Sequence, residues 1–305
     1  MSGRQKTLIV LVGPTAVGKT ELCIDIARKL NTEIISADSR QIFRELKIGT
    51  AVPTPQQLKK VRHHFVASRS LYEYYTAGIF EIEALEVIRQ ILARKDQVLM
   101  TGGSGLYVNA VCHGIDALPK TDPQVRENLL KQYEQEGLEG IRQRLHMLDP
   151  ASYEQVDLKN PKRILKALEI SLTTGKPYSS FLTRKRKDRP FHILKIGLTR
   201  DRQELYDRIN RRVDQMIEEG LVEEARQFKE KKHLNALNTV GYKELFSYFN
   251  GEISFDEAVR LIKRNSRRYA KRQLTWFSRD PEIHWYHPHQ ENQIMELIQK
   301  YIHPS

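Results

Sequence analysis

The sequence predicts an α/β fold, in which a parallel β-sheet flanked by helices carries an all-helical insertion. Two observations lead to this prediction. Short apolar segments alternate with amphipathic helices along the N-terminal part of the chain, as in proteins built on parallel sheets. A polar, helix-like stretch without a clear strand then interrupts this alternation, and the apolar strand pattern returns once after it.

The first elements flank a glycine-containing turn. Residues 7–12 form a continuous apolar and β-branched run that ends at Gly13-Pro14, which is typical of a buried parallel strand. Residues 19–30 follow with apolar side chains near helical spacing and predict the first helix. The same criteria predict a strand at 33–37, a helix at 79–94 and a strand at 98–101.

The character of the sequence changes near residue 114. Helices are predicted at 125–136, 138–147, 151–156 and 161–173, followed by a basic loop at 183–189 (TRKRKDR). A strand at 191–198 returns the chain to the sheet. The remainder is predicted to be helical, at 202–219, 221–231, 240–249 and 254–277. We therefore expect a core formed by residues 1–114 and 191–305, and an insertion at 115–190.

Composition restricts the class of protein. The content of 40% hydrophobic and 29% charged residues is typical of a globular chain rather than a disordered one. The net charge of +12 favours a polyanionic partner, because clustered Lys and Arg release counterions when they bind phosphates. Cys23 and Cys112 form no CxxC pair, which fits the reducing cytoplasm. The run at 7–12 is too short to cross a membrane, so we expect no membrane partner. We also expect a monomer.

The segment at 13–20 carries the clearest chemistry. It reads GPTAVGKT, which matches the phosphate-binding P-loop pattern GxxxxGK[ST] and lies between a strand and a helix, as that motif requires. The loop amides and the helix N-terminus attract an anion, Lys19 adds a positive charge, and the Thr20 hydroxyl is a ligand for Mg²⁺. The predicted phosphate-binding residues are Gly13, Thr15, Ala16, Val17, Gly18, Lys19 and Thr20.

An apparatus for nucleotide hydrolysis is not evident. A nucleotide-hydrolysing P-loop protein needs an acid at the end of a second apolar strand to hold its metal. The strand at 98–101 ends in Thr101 instead. Asp38 follows the strand at 33–37, but Ser39-Arg40-Gln41 come directly after it. The motif therefore predicts phosphate binding without specifying phosphate hydrolysis.

The predicted helix at 254–277 is strongly basic. Positions 264, 267, 268, 271 and 272 fall on one helical face, and no acidic residue lies between Glu257 and Asp280. Such a face can follow a phosphate backbone, which favours RNA binding, although a solvated charged surface is the alternative. The basic loop at 183–189 is a second candidate contact with RNA.

Two pairs of adjacent ring-containing residues are predicted to have mainly structural roles. Trp276 and Phe277 are expected in the hydrophobic core rather than stacked on bases. His63 and His64 are adjacent and lack partner ligands in the sequence. This favours a structural position, or one at the rim of an RNA site, over a metal site.

Several segments together resemble the tRNA dimethylallyltransferase (tRNA isopentenyltransferase) family. They run in the family's order from residue 13 to residue 280, and the combination is more specific than the P-loop alone. Two departures are a Ser at position 104, where Thr is common, and the absence of the C-terminal zinc finger of eukaryotic members, which indicates the bacterial type. The matching segments are GPTAVGKT (13–20), ISADSRQIF (35–43), IGTAVP (48–53), TGGSGLY (101–107), NPKRILKALEI (160–170), RINRRVDQMIEEGLVEEA (208–225), TVGYKEL (239–245) and NSRRYAKRQLTWFSRD (265–280).

The resemblance implies a reaction and a role for each matching position. It implies transfer of a dimethylallyl group from dimethylallyl diphosphate to N6 of the adenosine 3′-adjacent to a tRNA anticodon, with the P-loop residues as the diphosphate site and Mg²⁺ as cofactor. By position, Asp38 is the general base, Arg212 a catalytic arginine with Arg208 as a second candidate, and Thr101 lies beside the reaction centre. The implied contacts with the tRNA anticodon stem-loop are Asp38, Ser39, Arg40, Gln41, Pro161, Lys162, Arg163, Ile164, Leu165, Asn238, Thr239, Val240, Gly241, Tyr242 and Lys243.

These residue types suit the implied chemistry. The N6 amine of adenine is a weak nucleophile because its lone pair is delocalised, and a positioned carboxylate contributes about 10²–10⁴-fold as general base. Without the resemblance, an ordinary helix N-cap or turn aspartate is the favoured interpretation of Asp38. Arginine can bind phosphate oxygens in a bidentate manner, whereas a solvated helix face is the alternative for Arg208, Arg211 and Arg212. The sequence does not identify the apolar wall that an allylic group requires.

Three other functions are compatible with parts of the sequence. A P-loop small-molecule kinase shares the phosphate loop but does not need the basic helix. A free-nucleotide isopentenyltransferase of the cytokinin type shares the chemistry but needs neither the insertion nor an RNA-binding face. A non-catalytic RNA-binding P-loop protein would bind tRNA and would not depend on Asp38 for any reaction.

Overall fold

The computed structural model describes residues 5–183 and 185–303. In this part of the chain six strands form one parallel sheet in the order β3-β2-β4-β1-β5-β6. β1 is buried along its whole length between β4 and β5, as its continuous apolar sequence requires. The predicted α/β fold with a parallel sheet is confirmed. The strands are β1 (Thr7–Val12), β2 (Ile34–Ser36), β3 (His63–His64), β4 (Gln97–Gly102), β5 (His192–Leu198) and β6 (Ile283–Tyr286).

Helices connect successive strands, as parallel pairing demands. None of the helices in the described residues is both long and apolar enough to cross a membrane. The described part of the chain also contains three short 3₁₀ helices, at Tyr178–Phe181, Lys229–Lys231 and Asn235–Leu237. The α-helices are α1 (Lys19–Lys29), α2 (Pro55–Lys60), α3 (Ala77–Leu92), α4 (Gly105–His113), α5 (Pro123–Leu148), α6 (Pro150–Gln155), α7 (Pro161–Thr174), α8 (Arg202–Glu218), α9 (Leu221–Arg226), α10 (Tyr242–Phe249), α11 (Phe255–Phe277) and α12 (Glu291–Ile302).

The chain divides into two compact units, Met1–His113 with Asp188–Ser305 and Gly114–Lys187. The first contains the sheet and two hydrophobic clusters. One cluster joins β1, β5, α1 and α12, and the other packs α8, α9, α10 and α11 against residues 42–71. Burial of apolar side chains in these clusters stabilises the unit by roughly 25 cal/mol per Å² removed from water. The second cluster also supplies one wall of the cleft described below.

The described residues of the second unit form helices and loops without a strand. Its core contains Ile141, Leu145, Ile164 and Leu168 from α5 and α7. The separate helices predicted at 125–136 and 138–147 are continuous as α5 in the hydrogen-bond pattern, but Gly137 interrupts it with φ 68° and ψ −162°. Since φ is positive there, a glycine is favoured at the break.

Several predictions from sequence need correction. The region after residue 198 is not entirely helical, because β6 pairs with β5 as an edge strand of only four residues. The helix predicted at 221–231 ends at Arg226 and gives way to a 3₁₀ turn. Phe277 is buried as expected, whereas Trp276 is 36% exposed and is not a core residue. The edge strand β6 and the 3₁₀ turn after Arg226 are too short to show a periodicity that can be recognised in the sequence.

Candidate active site

A cleft of about 450 Å³ lies at the carboxyl ends of β1, β2 and β4. This is the edge at which open parallel α/β sheets bind ligands, because the loops that follow the strands converge there. The P-loop follows β1, Asp38 follows β2, and Thr101 and Gly102 end β4. Residues that are far apart in the sequence are thereby brought to one site.

The P-loop geometry depends on its first glycine. Gly13 has a φ of 153°, and a Cβ built on it would lie 2.8 Å from the carbonyl oxygen of Leu198. Lys19 donates hydrogen bonds to the carbonyls of Gly13 (2.9 Å) and Pro14 (2.8 Å). Burial lowers the pKa of Lys19 to about 8; the charge of Arg212 lowers it further, and the charge of Asp38 opposes them. The ammonium, the carboxylate and the guanidinium therefore interact in one pocket.

Three arginines hold consecutive residues of the P-loop. Arg212 Nη1 donates to the hydroxyl of Thr15 (3.2 Å), and Arg208 Nε donates to the carbonyl of Ala16 (2.8 Å). Arg200 Nε donates to the carbonyl of the next residue, Val17 (2.7 Å). Burial lowers the pKa of both Arg212 and Arg208, so the solvated-face alternative does not describe these two side chains.

The sequence left the role of Arg211 open and gave no role to Arg200. Arg211, between the two loop-binding residues of α8, is exposed and belongs to the solvated face. Arg200 was missed by the sequence analysis. Its position two residues after β5, the strand paired with β1, was a usable signal once the strand order was known.

Asp38 combines a turn with a place in the cleft. Its Oδ1 accepts hydrogen bonds from the backbone N–H groups of Arg40 (2.9 Å) and Gln41 (3.2 Å), which is the turn role anticipated as the alternative. The carboxylate also lines the cleft that contains Lys19 and Arg212. Fixing one oxygen through the backbone orients the carboxylate, so the two roles are compatible.

The residues that follow Asp38 are held by their neighbours. Ser104 Oγ accepts from the backbone N–H of Ser39 (2.9 Å) and donates to its hydroxyl (3.0 Å). Burial lowers the pKa of Arg40. Gln41 donates through its amide nitrogen to the carbonyls of Thr50 (3.1 Å) and Ala51 (2.9 Å). The predicted RNA contacts at 39–41 thus also shape the cleft.

The hydroxyl of Thr101 donates to the carbonyl of Leu11 on β1 (3.0 Å), within the sheet. Beyond Thr101, Gly103 lies against Gln273 of α11. Gln273 is only 5% exposed, and its side chain accepts from the backbone N–H of Thr15 (2.9 Å) and donates to the carbonyl of Gly103 (2.9 Å). Gln273 could not be predicted from the sequence, because nothing in its local pattern reports contacts with residues so distant in the chain.

Comparison with known proteins identifies the family. Residues 41–280 match the family described as IPP transferase. The tRNA dimethylallyltransferase 1 of Bacteroides fragilis is 58% identical over 294 residues, which cover 96% of this chain and 98% of the relative.

The chain belongs to the IPP transferase family. A similar relative, tRNA dimethylallyltransferase 1 of Porphyromonas gingivalis, is 56% identical over 288 residues, covering 94% of this chain and 96% of the relative. The resemblance stated from sequence is confirmed.

Solved structures agree with this assignment. The crystal structure of a tRNA isopentenylpyrophosphate transferase from Bacillus halodurans has a TM-score of 0.72 at 36% identity, covering 98% of this chain and 97% of that chain. A eukaryotic dimethylallyltransferase acting on tRNA has a TM-score of 0.73 at 26% identity, covering 89% of this chain and 69% of that one. The sheet and helices described above are therefore those of the family.

The remaining predicted site residues of this IPP transferase lie in two segments. Thr239, Val240 and Gly241 line the cleft. Asn238 is half-buried and Lys243 is exposed, whereas Tyr242 is fully buried and donates from its hydroxyl to Glu224 (2.6 Å). Burial of this ring favours a packing role over direct contact with RNA through the side chain.

The segment 161–165 forms the first turns of α7 in the helical unit. Lys162 and Arg163 are exposed, and Pro161 and Leu165 are half-buried. Ile164 is fully buried in the core of that unit. The exposed pair can meet a phosphate backbone, whereas the Ile164 side chain serves the hydrophobic core.

The basic helix α11 is less uniform than its sequence indicates. Lys263 forms an ion pair with Asp214 (2.5 Å), and Arg267 donates to Asn210 (2.6 Å). Another face of the helix lines the cleft with Ser266, Tyr269 and Gln273. The exposed cations of the helix's second half, which define its outer basic patch, are Arg268, Lys271 and Arg272.

The histidine pair has structural partners. His64 Nε2 lies 2.8 Å from Glu33 Oε2, and His63 Nδ1 lies 2.8 Å from the carbonyl oxygen of Val61. Burial lowers the pKa of His63, which keeps its ring neutral over a wider pH range. A structural position for the pair agrees with these contacts.

The structure also supplies the apolar wall that the sequence did not identify. Helices α8, α9 and α11 and two loops place six apolar side chains along the cleft, and all six belong to or pack against the second hydrophobic cluster. A small hydrocarbon group bound there would be removed from water on that side. The six are Ile48, Val213, Met216, Leu221, Val240 and Ile262.

Proposed function

We propose that this member of the IPP transferase family transfers a dimethylallyl group from dimethylallyl diphosphate to the exocyclic N6 of the adenosine 3′-adjacent to a tRNA anticodon, with release of diphosphate. The relatives are named tRNA dimethylallyltransferases, and one solved relative is described as acting on tRNA. The observation that carries the proposal is the meeting of Lys19, Asp38 and Arg212 in one cleft.

The diphosphate of the substrate would bind at the P-loop. The ammonium of Lys19 and the guanidinium of Arg212 are partly desolvated there, which lowers the pKa of both groups, and the loop amides at the start of α1 complement a negative charge. Charge builds on diphosphate as it leaves, and prearranged cations in a partly desolvated cleft stabilise that charge more strongly than water does. Arg208 and Arg200 hold the loop backbone in place for this purpose.

Mg²⁺ is proposed as the cofactor, held by Thr20. This residue lies in the first turn of α1 beside Lys19 and lines the cleft. A single hydroxyl ligand fits this ion, because Mg²⁺ commonly keeps several waters and takes its other ligands from substrate phosphates. When bound, the ion would neutralise part of the charge on diphosphate.

The dimethylallyl group would lie along the apolar wall and the acceptor base beside Asp38. In the proposed step a bond forms between N6 and the first carbon of the dimethylallyl group while the bond from that carbon to the diphosphate oxygen breaks. The electron pair of the broken bond leaves with diphosphate, and the proton on N6 passes to the Asp38 carboxylate. The backbone hydrogen bonds to Oδ1 orient the carboxylate for this transfer.

The tRNA anticodon stem-loop is the proposed partner. The outer basic patch of α11 and the exposed Lys162, Arg163 and Lys243 offer cations to its phosphates. The target base has to leave its stack to enter a cleft of this kind. A monomer in the reducing cytoplasm completes the proposal, and the free, buried thiols of Cys23 and Cys112 fit that setting.

Product analysis tests the proposal directly. The enzyme is incubated with labelled dimethylallyl diphosphate, Mg²⁺ and an unmodified anticodon stem-loop, and the nucleosides are separated after digestion. Label in N6-dimethylallyladenosine from the stem-loop is the expected result. Label in AMP supplied alone would instead indicate the free-nucleotide enzyme, and phosphoryl transfer from ATP to a small acceptor without prenyl transfer would indicate the kinase.

An Asp38→Asn variant separates catalysis from binding. Transfer should fall by about 10²–10⁴-fold because the amide cannot accept the proton, while tRNA binding stays close to wild type. Glu218→Gln removes an exposed carboxylate from α8 and serves as the control, with unchanged transfer expected. Full activity of Asp38→Asn would contradict the assignment of Asp38 as general base. Asp38 would then have only the structural role of stabilising the turn at 38–41.

A further inference from the structure

The loop that contributes Ile48 to the apolar wall has no regular secondary structure. Residues 47–53, called here the cleft loop, form the second half of the connection between β2 and α2. Residues 48–53 line the cleft. Two internal hydrogen bonds, from Ala51 N to Ile48 O (2.9 Å) and from Val52 N to Lys47 O (3.1 Å), close it into a tight turn. Ala51 has a φ of 52°, a conformation that L-residues other than Gly and Asn adopt at some cost. A loop of this kind depends on outside contacts to keep one shape.

Glu224 of α9 supplies such contacts to the first three residues of the cleft loop. Its Oε2 accepts from the backbone N–H groups of Lys47 and Ile48, each at 2.9 Å, and its Oε1 accepts from that of Gly49, also at 2.9 Å. Three consecutive amides of the cleft loop thus converge on one carboxylate. Such charge-assisted bonds are stronger than those between neutral groups.

Tyr242 completes this arrangement from α10. Its hydroxyl donates to Glu224 Oε1 (2.6 Å), and its ring packs so closely on the loop that a Cβ on Gly49 would lie 2.6 Å from it. Burial and the neighbouring carboxylate both raise the pKa of Tyr242, so the phenol keeps its proton and remains a donor. The ring fixes the distance of the loop from α10, and the carboxylate fixes its orientation.

We propose that Glu224, supported by Tyr242, is a positioning residue that fixes the cleft loop and thereby sets the length of prenyl group that the apolar wall accepts. The inference rests on the proposed function, since it specifies how that site selects its allylic substrate. Glu224 does not line the cleft, and it acts through Ile48 and the loop backbone. The P-loop is held by other residues, so diphosphate binding is independent of this arrangement.

A Glu224→Gln variant tests the role. Glutamine has one acceptor oxygen, so either the Lys47 and Ile48 amides or the Gly49 amide and the phenol lose their acceptor. We expect the KM for dimethylallyl diphosphate to rise about tenfold, with the inhibition constant of inorganic diphosphate within about twofold of wild type. We also expect the ratio of kcat/KM for geranyl diphosphate to that for dimethylallyl diphosphate to rise about fivefold or more, since a displaced wall admits a longer chain.

The ratio of two substrates does not depend on the fraction of active enzyme, so a merely structural defect does not change it. Glu223→Gln on the same helix is the matched control, because Glu223 is exposed, and it should behave as wild type in every assay. Amide hydrogen exchange of residues 47–49 gives a readout without activity and should be faster in Glu224→Gln. If that variant does not fold, Tyr242→Phe, which removes one donor from the carboxylate, should shift the ratio in the same direction by a smaller factor.

The possible failures are distinguishable. An unchanged substrate ratio with unchanged exchange at 47–49 in a folded Glu224→Gln or Tyr242→Phe protein would overturn the positioning role. A parallel rise in the diphosphate inhibition constant would also overturn it, because the effect would then not be confined to the prenyl end. Absence of prenyl transfer in both wild type and Glu223→Gln would refute the proposed function and, with it, the substrate role of Glu224.

Discussion

Gln273 of α11 accepts a 2.9 Å hydrogen bond from the backbone N–H of Thr15 in the P-loop. Its amide nitrogen donates to the carbonyl of Gly103 after β4, also at 2.9 Å. A single buried amide therefore connects the basic helix to two of the loops that form the cleft. The proposed RNA-binding helix and the proposed diphosphate site share a rigid connection, although they lie at opposite ends of the sequence.

Replacing Gln273 should weaken both the fold and substrate binding. In Gln273→Ala the Thr15 amide and the Gly103 carbonyl lose their partners, which should lower the free energy of unfolding by about 1–3 kcal/mol and raise the KM for dimethylallyl diphosphate. Denaturant unfolding and steady-state kinetics measure the two effects. Thr275→Ala, at an exposed position of the same helix, is the control and should change neither. Wild-type stability and KM in Gln273→Ala would show that the two hydrogen bonds of Gln273 contribute neither to stability nor to substrate binding.

Arg212 and Arg211 form a matched pair for the leaving-group role. Arg212 is half-buried and hydrogen-bonded to Thr15, whereas Arg211 beside it is exposed. Because lysine cannot bind phosphate oxygens in a bidentate manner, Arg212→Lys should lower kcat by about 10²-fold, and Arg211→Lys should leave it within about twofold. Single-turnover transfer rates distinguish the two. Equal effects in both variants would argue against a specific role for Arg212.

The pH dependence of diphosphate binding should report the protonation of Lys19. Its pKa in the free protein is lowered to about 8, chiefly by burial, and a bound anion favours the charged form, which raises that pKa in the complex. The contribution of the charged Lys19 to the affinity for inorganic diphosphate should therefore be fully present below pH about 8. It should decline as the pH rises above that value. Calorimetric titration between pH 6.5 and about 9.5 tests this dependence.

Asp38→Asn provides the comparison for that titration. The carboxylate of Asp38 raises the pKa of Lys19 against the effect of burial, so its removal should lower that pKa further. The decline in affinity should then begin at a lower pH than in wild type. The ionisation of the ligand is identical for both proteins and cancels in the comparison. Coincident pH profiles would contradict the interaction between Asp38 and Lys19.

Salt dependence should distinguish the exposed cations of α11 from those held in ion pairs. Arg268, Lys271 and Arg272 are exposed, whereas Lys263 is engaged by Asp214. Each exposed cation that contacts a phosphate contributes about one unit to the slope of log Kd against log salt concentration, so Lys271→Gln should reduce that slope by about one. Lys263→Gln should leave the slope unchanged. The reverse ranking would place the RNA on another surface.

The sequence by itself determined the local features of this protein. The P-loop is specified within eight consecutive residues, and β1 is a continuous apolar run, so both depend on neighbours along the chain. The family resemblance assigned Asp38 and Arg212, and the helical character of the insertion followed from periodicity. The four-residue strand β6 was missed because so short a segment carries no reliable period and gains its structure from pairing with β5.

Only the tertiary structure decided which side chains meet. Whether Arg200 reaches the P-loop, whether Lys263 is free or paired, and whether Trp276 is inside or outside depend on how the strands and helices pack. The contacts of Gln273 with Thr15 and of Glu224 with the cleft loop join residues far apart in the chain. Hydrogen bonds act over about 3 Å and carry no signature in the local sequence, so they are fixed only when the sheet and helices bring their partners together.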